Sequence, residues 1–529
     1  MRQMLELTGR PASDGIFAGP LAHVGVLTRK RVQTGSPEGE VSALREAVAI
    51  SLAELFALTE KAEGEAGDIL GFQSAMLEDD SFQSSALAAI AAGEAADIAW
   101  QAALDAEIAG YEQSEDEYFR ARSADLKDIR DRVLRHLSGA EESSGRSGTI
   151  LVAEDLAPSM FLEADWSKGG AIVLSAGSPT SHVAMLARAR GIPMIVGLGR
   201  ADFAGHGVAI VDGGQGLILL SPSSDRQREY AVRLETLKSQ RQREQQFLIG
   251  PARRKDGRQI EVAINVAGVD ELETIDVKTC DGIGLMRSEF LFRDGAPLPD
   301  EDEQYEAYRR FLNWADGKPV TIRTLDIGGD KPIAGLTQPG EKNPFLGLRG
   351  IRLTLARPDV FKIQLRAMAR AAVHGHLKVM IPMVTVPAEI AETDRLLDRC
   401  MDELMGEGKH CKRPPLGIMV EVPAVAVAPE LFRQAAFFSI GSNDLTQYVT
   451  ASSRDEPSVA ALNDPSHPAV RRLIASVAKF GRENNIPVSL CGDMASDPVH
   501  LATLLAAGIT SLSVAPARLG RIKAAIADI

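Results

Sequence analysis

The chain has 529 residues, too many for one hydrophobic core, so we expect about two to four domains. Its composition, 45% hydrophobic and 25% charged, is that of an ordinary globular protein. Its net charge of −14 argues against a surface that binds nucleic acid or an anionic membrane, and it fits a basic protein partner. The four cysteines show neither metal-ligand nor disulfide spacing and no apolar run has membrane-spanning length, so we expect a cytoplasmic protein.

The N-terminal part of the chain changes character twice. Residues 1–35 begin with short strands and glycine turns, and residues 36–142 contain long apolar-periodic segments with few glycines or prolines, which predicts helices. Strand signals return in residues 143–224, in GTILVAE, GGAIVLS, MIVGL and GVAIVDGGQGLILLSP. We therefore predict one α/β domain, formed by residues 1–35 and 143–224, that is interrupted by an all-helical insertion.

Residues 225–248 are charged nearly throughout, which predicts an exposed helix; a connecting role is favoured over a merely solvated surface helix because strand-rich regions lie on both sides. Residues 249–529 then alternate short strands with helices, in the order EVAIN, GIGLM, VTIRTL, KVMIPMV, GIMVEV, FFSIGS, VSLCGD and SLSV. The size and order fit a (βα)8 barrel. An open doubly wound sheet is the alternative that strand patterns leave open.

Polar residues follow the predicted barrel strands, where barrel enzymes carry their chemistry. They are Arg287, Glu289, Arg323, Asp326, Glu421, Asn443, Asp444, Arg454, Cys491 and Asp493. Arginine binds phosphate and carboxylate groups in bidentate fashion, and Mg²⁺ takes one or two protein carboxylates. One such arginine could be a structural ion pair, but the recurrence on several strands predicts an anionic, phosphorylated substrate and a divalent ion.

Two residues, His182 and Cys491, are candidates for reactive groups. His182, in SPTSHVAMLARARG, lies at the start of a predicted helix, where the dipole favours a neutral imidazole and an attached anion. The alternative is a histidine that only satisfies local hydrogen bonds. Cys491 could be a small buried hydrophobe or, at a strand end, a proton donor to a reacting carbon.

The motifs together resemble a known family. The segment from Ser178 to Arg188, with GLMRSEFLF, TIRTLDIGGDKP, NPFLGLRGIR, IMVEVPA, SIGSNDLTQY and SLCGDMASD, is similar to the signatures of phosphoenolpyruvate (PEP)-utilising enzymes, and more specifically to enzyme I of the bacterial phosphotransferase system. The resemblance covers almost the whole chain. In the helical insertion, MLEDDSF and EDEYFRARSADLKDIRDRVL resemble that family's binding region for the carrier protein HPr.

This resemblance implies a multidomain α/β fold, with a swivelling phosphohistidine domain, an inserted all-α HPr-binding subdomain (residues 36–142) and a TIM-type PEP-binding barrel (residues 249–529). PEP, Mg²⁺, an HPr-like phosphocarrier and a homodimer are implied with it. The acidic stretch Glu78–Asp80 suits steering of a basic carrier.

The resemblance also implies a role for each matching residue. The implied set is His182 as the phosphorylated residue, Arg287, Arg323 and Arg454 as ligands of the PEP phosphate and carboxylate, Asn443 as a further polar contact, Glu421 and Asp444 as Mg²⁺ ligands, and Cys491 as the proton donor to enolpyruvate.

Some features depart from the family pattern. Gly177-Ser178-Pro179 replaces the usual Gly-Gly and basic residue, and Asp493 and Ser496 replace the commoner glutamate and glycine. A nucleotide-dependent relative, such as pyruvate phosphate dikinase, is disfavoured because only the short segment of residues 1–35 precedes the helical insertion and no GxxxxGK[ST] motif occurs. A regulatory PEP- or HPr-binding protein is the other alternative, although it would have little need of the full acid, metal and nucleophile set.

Overall fold

The computed structural model describes residues 4–23, 31, 33–59, 65–113, 117–139, 147–179, 181–203, 205–292, 297–328, 333, 335–337, 341–453, 456 and 458–529. The chain divides into two compact units, Met1–Leu237 and Lys238–Ile529. In the described ranges no helix is both long and apolar enough to cross a membrane.

The first unit contains an eight-stranded mixed sheet. Its strands are β1 (Leu5–Thr8), β2 (Arg10–Ser13), β3 (Ile16–His23), β4 (Ile150–Ala153), β5 (Ala171–Leu174), β6 (Met194–Val196), β7 (Val208–Asp212) and β8 (Leu217–Leu220). They are ordered β1-β8-β7-β3-β4-β5-β6-β2, with β3 to β6 parallel and the outer pairs antiparallel. Strand β3 pairs directly with β4, so strands from before and after the helical insertion share one sheet, as the sequence predicts.

The helices of this unit form the insertion and cover the sheet. They are α1 (Pro37–Thr59), α2 (Glu65–Glu78), α3 (Asp80–Ala91), α4 (Ala96–Glu112), α5 (Glu117–Ser138), α6 (Pro158–Glu163) and α7 (His182–Arg190). Helices α1 to α5 have their own core, in which Leu44, Leu55, Trp100 and Leu126 are fully buried. These apolar residues recur at helical spacing along each segment, so each helix buries one face against its neighbours.

Helix α8 (Ser224–Leu248) contains the boundary between the two units. Most of its described side chains are exposed, and Tyr230 is the buried one among them. Its charge-rich sequence therefore forms the exposed helix that was predicted for this segment.

The second unit is a closed barrel of eight parallel strands. Its strands are β10 (Gln259–Val266), β11 (Ile283–Arg287), β12 (Pro319–Arg323), β13 (His376–Ile381), β14 (Leu416–Val420), β15 (Phe438–Ile440), β16 (Val488–Leu490) and β17 (Ser511–Val514), and a short β9 (Ala252–Arg253) precedes them. Strand β10 pairs with both β11 and β17, which closes the barrel and excludes the open doubly wound sheet. The predicted (βα)8 barrel is confirmed.

The barrel helices follow the strands. They are α9 (Glu301–Trp314), α10 (Ile351–Ala356), α11 (Pro358–Ala371), α12 (Pro387–Gly406), α13 (Pro423–Val427), α14 (Ser442–Thr450), α15 (Pro468–Asn484), α16 (Pro498–Ala507) and α17 (Leu519–Ala527). Several begin with proline, whose missing N–H is no loss in the first turn. Helix α9 begins with a capping box, in which Asp300 accepts from the Glu303 amide and Glu303 accepts from the Asp300 amide.

Candidate active site

Most of the predicted site residues of the barrel lie at one mouth, where the parallel strands end. Arg287 and Arg323 are the last residues of β11 and β12 and are paired with each other in register. Glu421 and Cys491 directly follow β14 and β16, and Asn443 and Asp444 lie in the first turn of α14. Arg454 lies outside the described residues.

A chain of buried ion pairs runs across this mouth. Arg323 Nη2 lies 3.0 Å from Glu289 Oε1, and Arg323 Nη1 lies 2.9 Å from Asp326 Oδ2. Arg349 Nη2 lies 3.0 Å from the same Asp326 oxygen and 3.4 Å from Asp444 Oδ2. These ion pairs fix the positions of both guanidinium groups at the mouth.

Glu421 has a strongly perturbed carboxyl group. Its side chain is buried, and Oε1 accepts a hydrogen bond of 2.6 Å from the Met383 amide. Burial, together with the negative charges of Asp444 and Asp326, raises the pKa of Glu421 to about 8. The carboxyl group therefore holds a proton at neutral pH unless a cation compensates its charge.

The carboxylates of Glu421 and Asp444 fit a divalent cation. Among the described residues, no group of three or more His, Cys, Asp or Glu side chains has the arrangement of a metal site. Mg²⁺, however, is commonly held by one or two carboxylates and completes its coordination with substrate oxygens and water. Besides burial, the negative charges of Asp444 and Asp326 raise the pKa of Glu421, and a bound cation would relieve that repulsion.

Cys491 lies inside the barrel with its thiol shielded from solvent. Its side chain is 4% exposed, and Sγ donates a long hydrogen bond of 3.6 Å to the Ile440 carbonyl oxygen. Burial, assisted by the negative charge of Glu421, raises the pKa of the Cys491 thiol to about 11. At neutral pH this group is therefore a protonated thiol, as a proton donor must be.

Asn443 joins helix α14 to the turn that follows β16. Its Nδ2 donates to Asp493 Oδ2 at 2.9 Å, and its Oδ1 accepts from the Asp493 amide at 2.9 Å. The side chain of Asp493 is therefore long enough to contact Asn443.

His182 is the first residue of α7 in the other unit. The preceding residue, Ser181, is the N-cap, and its Oγ accepts from the Ala184 amide at 3.3 Å. The helix ends at Gly191 in the left-handed conformation, with φ of 64°. The imidazole therefore lies at a helix N-terminus, where free amides and the helix dipole favour an anionic group.

Two arginines hold the loop before His182. Arg10 Nη2 donates to the Gly177 carbonyl at 2.8 Å, and Arg188 Nη1 donates to the Pro179 carbonyl at 2.8 Å. Gly177 has a φ of 86°, which favours glycine. The unusual Pro179 thus lies in a loop that is attached to the sheet on one side and to α7 on the other.

Sequence reasoning missed Arg349 and left Glu289 and Asp326 without a role. Arg349 lies in the loop before α10 and follows no strand directly, so its position in the sequence does not indicate a place at the barrel mouth. The motif NPFLGLRGIR, which contains it, was the available signal.

Comparison with known families matches the two units separately. The PEP-binding domain model of PEP-utilising enzymes matches residues 241–529, the mobile domain model residues 145–216 and the N-terminal domain model residues 8–122. A phosphoenolpyruvate-protein phosphotransferase of Bacillus subtilis is 35% identical over 97% of this chain and 94% of its own length. The chain belongs to this family.

Other phosphoenolpyruvate-protein phosphotransferases match in the same way. That of Listeria innocua is 34% identical over 96% of this chain and 91% of its own length. A multiphosphoryl transfer protein of Xanthomonas campestris is 35% identical over 97% of this chain, which spans 63% of that longer protein. A solution structure of Enzyme I (nEIt) is 25% identical over 44% of this chain and 99% of its own, with a TM-score of 0.37.

Membership of the phosphoenolpyruvate-protein phosphotransferase family makes this chain a PEP-dependent phosphotransferase. It also implies a divalent metal ion and a phosphocarrier protein as partner.

Proposed function

We propose that the chain transfers the phosphoryl group of PEP to His182, and from there to a histidine of an HPr-type carrier, with release of pyruvate. The observation that best supports this is the barrel mouth, where fixed guanidinium groups, an excess of carboxylate charge and a buried protonated thiol lie together.

The arginines would bind the two anionic groups of PEP. Arg287 and Arg323 lie side by side on neighbouring strands and so can contact one ligand together. Arg454 and Asn443 would also contact PEP, and we add Arg349 to these proposed PEP-binding residues. Fixed positive charge orients the phosphoryl group and stabilises the charge that spreads over its oxygens during transfer.

Glu421 and Asp444 would hold Mg²⁺, which when bound supplies charge neutralisation to the phosphoryl oxygens and the enolate. Both are positioned by the protein, Glu421 through the Met383 amide and Asp444 through Arg349.

Cys491 would supply the proton that turns enolpyruvate into pyruvate. The electron pair of the carbon–carbon double bond takes the proton from Sγ as the carbonyl forms. The positive charges of Arg323 and Arg287 lower the pKa of the Cys491 thiol in part, against burial, so they would stabilise the thiolate that remains.

His182 would act as the nucleophile. A ring nitrogen forms a bond to phosphorus as the bond from phosphorus to the enol oxygen breaks, which divides the transfer into two steps. Residues 225–248 would be the linker between the phosphohistidine domain (residues 1–35 and 143–224) and the barrel (residues 249–529). This linker would let His182 reach both PEP and the carrier.

The helical insertion, residues 36–142, would bind the carrier. The chain's charge of −14 and the acidic stretch Glu78–Asp80 suit a basic partner. A homodimer and a cytoplasmic location belong to the same proposal.

Labelling with radioactive PEP and Mg²⁺ tests the first step. We expect one acid-labile, base-stable phosphoryl group on the wild type, none on His182→Ala, and wild-type labelling of the control His206→Ala, whose ring bonds Ser221 in the same unit. Undiminished labelling of His182→Ala would refute the assignment.

Adding an unlabelled HPr-type carrier to the phosphorylated protein tests the second step. We expect the label to move to the carrier within one turnover. With PEP in excess, pyruvate should then accumulate in proportion to the phosphorylated carrier. A label that stays on the protein with every HPr-type carrier tried would contradict the proposed acceptor and favour a regulatory PEP-binding role.

A further inference from the structure

Helix α5 presents a polar face to the α/β part of its unit. Asp128 accepts hydrogen bonds from the Ser159 amide at 3.2 Å, the Ser159 hydroxyl at 2.7 Å and Gln73 Nε2 at 3.0 Å. One turn further along, Arg132 forms an ion pair with Glu163. Because Ser159 and Glu163 both lie on α6, these contacts fix the register of α5 against the domain that carries His182.

Asp125 lies one turn before Asp128 on this face and has an unusual environment. Its side chain is fully buried, and Oδ2 accepts from Arg122 Nη1 at 3.0 Å. The Arg122 guanidinium lies 4.6 Å from the centre of the Phe72 ring, which restricts its position. The other oxygen, Oδ1, has no hydrogen-bond partner within the described part of the chain.

His182 Nδ1 is 3.6 Å from this unpaired Asp125 oxygen. That separation exceeds a hydrogen bond, but a small rotation of the imidazole would close it. A buried carboxylate oxygen without a donor is unfavourable, and an N–H at Nδ1 would satisfy it. The opposite tautomer would turn a lone pair towards the carboxylate, which is repulsive.

We propose that Asp125 is a positioning residue for His182: it holds the proton on Nδ1, so that the lone pair for phosphorus is on Nε2. This inference rests on the proposed function, because it assigns a role within the transfer through His182. The helical insertion, by this inference, contributes to the reacting histidine as well as to carrier binding.

The same contact would act when the phosphoryl group leaves. A nitrogen of the carrier's histidine forms its bond to phosphorus while the bond from phosphorus to Nε2 breaks, and the electron pair of that bond returns to Nε2. Because Nδ1 keeps its proton beside the Asp125 carboxylate, the ring leaves as neutral imidazole. A ring without that proton would have to leave as an imidazolate, which is a much poorer leaving group.

The tautomer can be measured directly in the wild-type protein. Long-range ¹H–¹⁵N correlation spectra of histidine-labelled protein, recorded where the ring is neutral, distinguish a proton on Nδ1 from one on Nε2. We expect the Nδ1–H form for His182, and the Nε2–H form would overturn the inference. This measurement needs no PEP, so it stands even if PEP fails to label the protein, which would refute the proposed function instead.

Asp125→Asn tests the consequence for transfer. Arg122 would keep the amide oxygen, which turns the amide nitrogen towards His182 as a donor and selects the Nε2–H tautomer. We expect phosphoryl transfer through His182 to fall at least about 100-fold, measured by rapid quench for both half-reactions. Asp125→Glu should recover part of the rate and the Nδ1–H signal.

Asp131→Asn is the matched control, since it removes an exposed carboxylate from the same helix and should leave transfer unchanged. Wild-type transfer by Asp125→Asn would overturn the inference. Circular dichroism checks that the variant is folded; if it is not, the wild-type spectrum decides the question alone.

Discussion

Glu421→Gln should make the metal-free protein more stable while it removes activity. The pKa of Glu421 is raised from 4.5 to about 8 by burial and by the charges of Asp444 and Asp326. The unfolded chain therefore loses this proton near pH 4.5, whereas the folded protein keeps it to about pH 8. Stability consequently falls as pH rises between these values, by about 1.4 kcal/mol per pH unit, or about 3 kcal/mol at pH 7.

In the glutamine variant the free energy of unfolding would not fall in this way as pH rises, because the amide does not titrate. The variant would keep the contact to Met383, since its amide oxygen can still accept from the Met383 amide. Without divalent cations, the free energy of unfolding of this variant should exceed that of the wild type by about 4 kcal/mol at pH 7.5 and should be nearly equal to it at pH 4.5. With Mg²⁺ the wild type should gain stability and the variant should not.

Urea unfolding followed by circular dichroism, at several pH values with EDTA or Mg²⁺, measures these differences. Glu430→Gln, an exposed site on the same barrel, is the control and should follow the wild type throughout. Parallel pH profiles of wild type and Glu421→Gln, or a less stable variant at pH 7.5, would refute the reasoning.

Other predictions concern proton donation, acid stability and close packing. Cys491→Ala should lower PEP-dependent pyruvate formation at least about 100-fold, and the wild-type rate should show no thiol ionisation below about pH 10, because burial raises the pKa of Cys491 to about 11; a thiol titration near pH 8 would contradict this. Glu40→Gln should cost the helical insertion about 1 to 2 kcal/mol above pH 4.5 and nothing near pH 2. Burial raises the pKa of Glu40, but hydrogen bonds from the Ala96 amide and Thr34 outweigh it and lower the pKa to about 2; equal thermal unfolding at pH 7 would disprove the effect. Gly492→Ala should destabilise the barrel by about 3 kcal/mol, since its Cβ would lie 1.9 Å from Ser442 Oγ, and an unchanged melting temperature would argue against that packing.

The fold was predictable from the sequence because its signals are local. Each barrel strand is a short apolar run between helices of ordinary length, and residues 36–142 contain few of the glycines and prolines that interrupt helices. Barrel closure was not predictable from strand patterns, because it depends on the pairing of β10 with β17, whose residues are about 250 positions apart.

The candidate site was predictable where a charged or reactive residue lies at the end of a strand. Arg287, Arg323 and Cys491 each stand at or just after a strand end, so topology alone places them at one mouth. Arg349 and Asp125 could not be predicted as site residues, because their positions depend on tertiary contacts. Arg349 contacts Asp326, and Asp125 lies next to His182. A helix pattern identifies Asp125 as one polar residue among many and does not reveal that it is buried.

The interruption of the sheet has a consequence for how the chain folds during synthesis. Strand β3 pairs with β7 across Ile16 and Asp212, and β1 pairs with β8 across Leu5 and Leu220. The sheet therefore cannot be completed until the residues up to Leu220 have been synthesised. The insertion, whose contacts are local and whose core is its own, can form while its partners are still being made. The domain that carries His182 is therefore completed after its helical neighbour, and can assemble against a surface that is already in place.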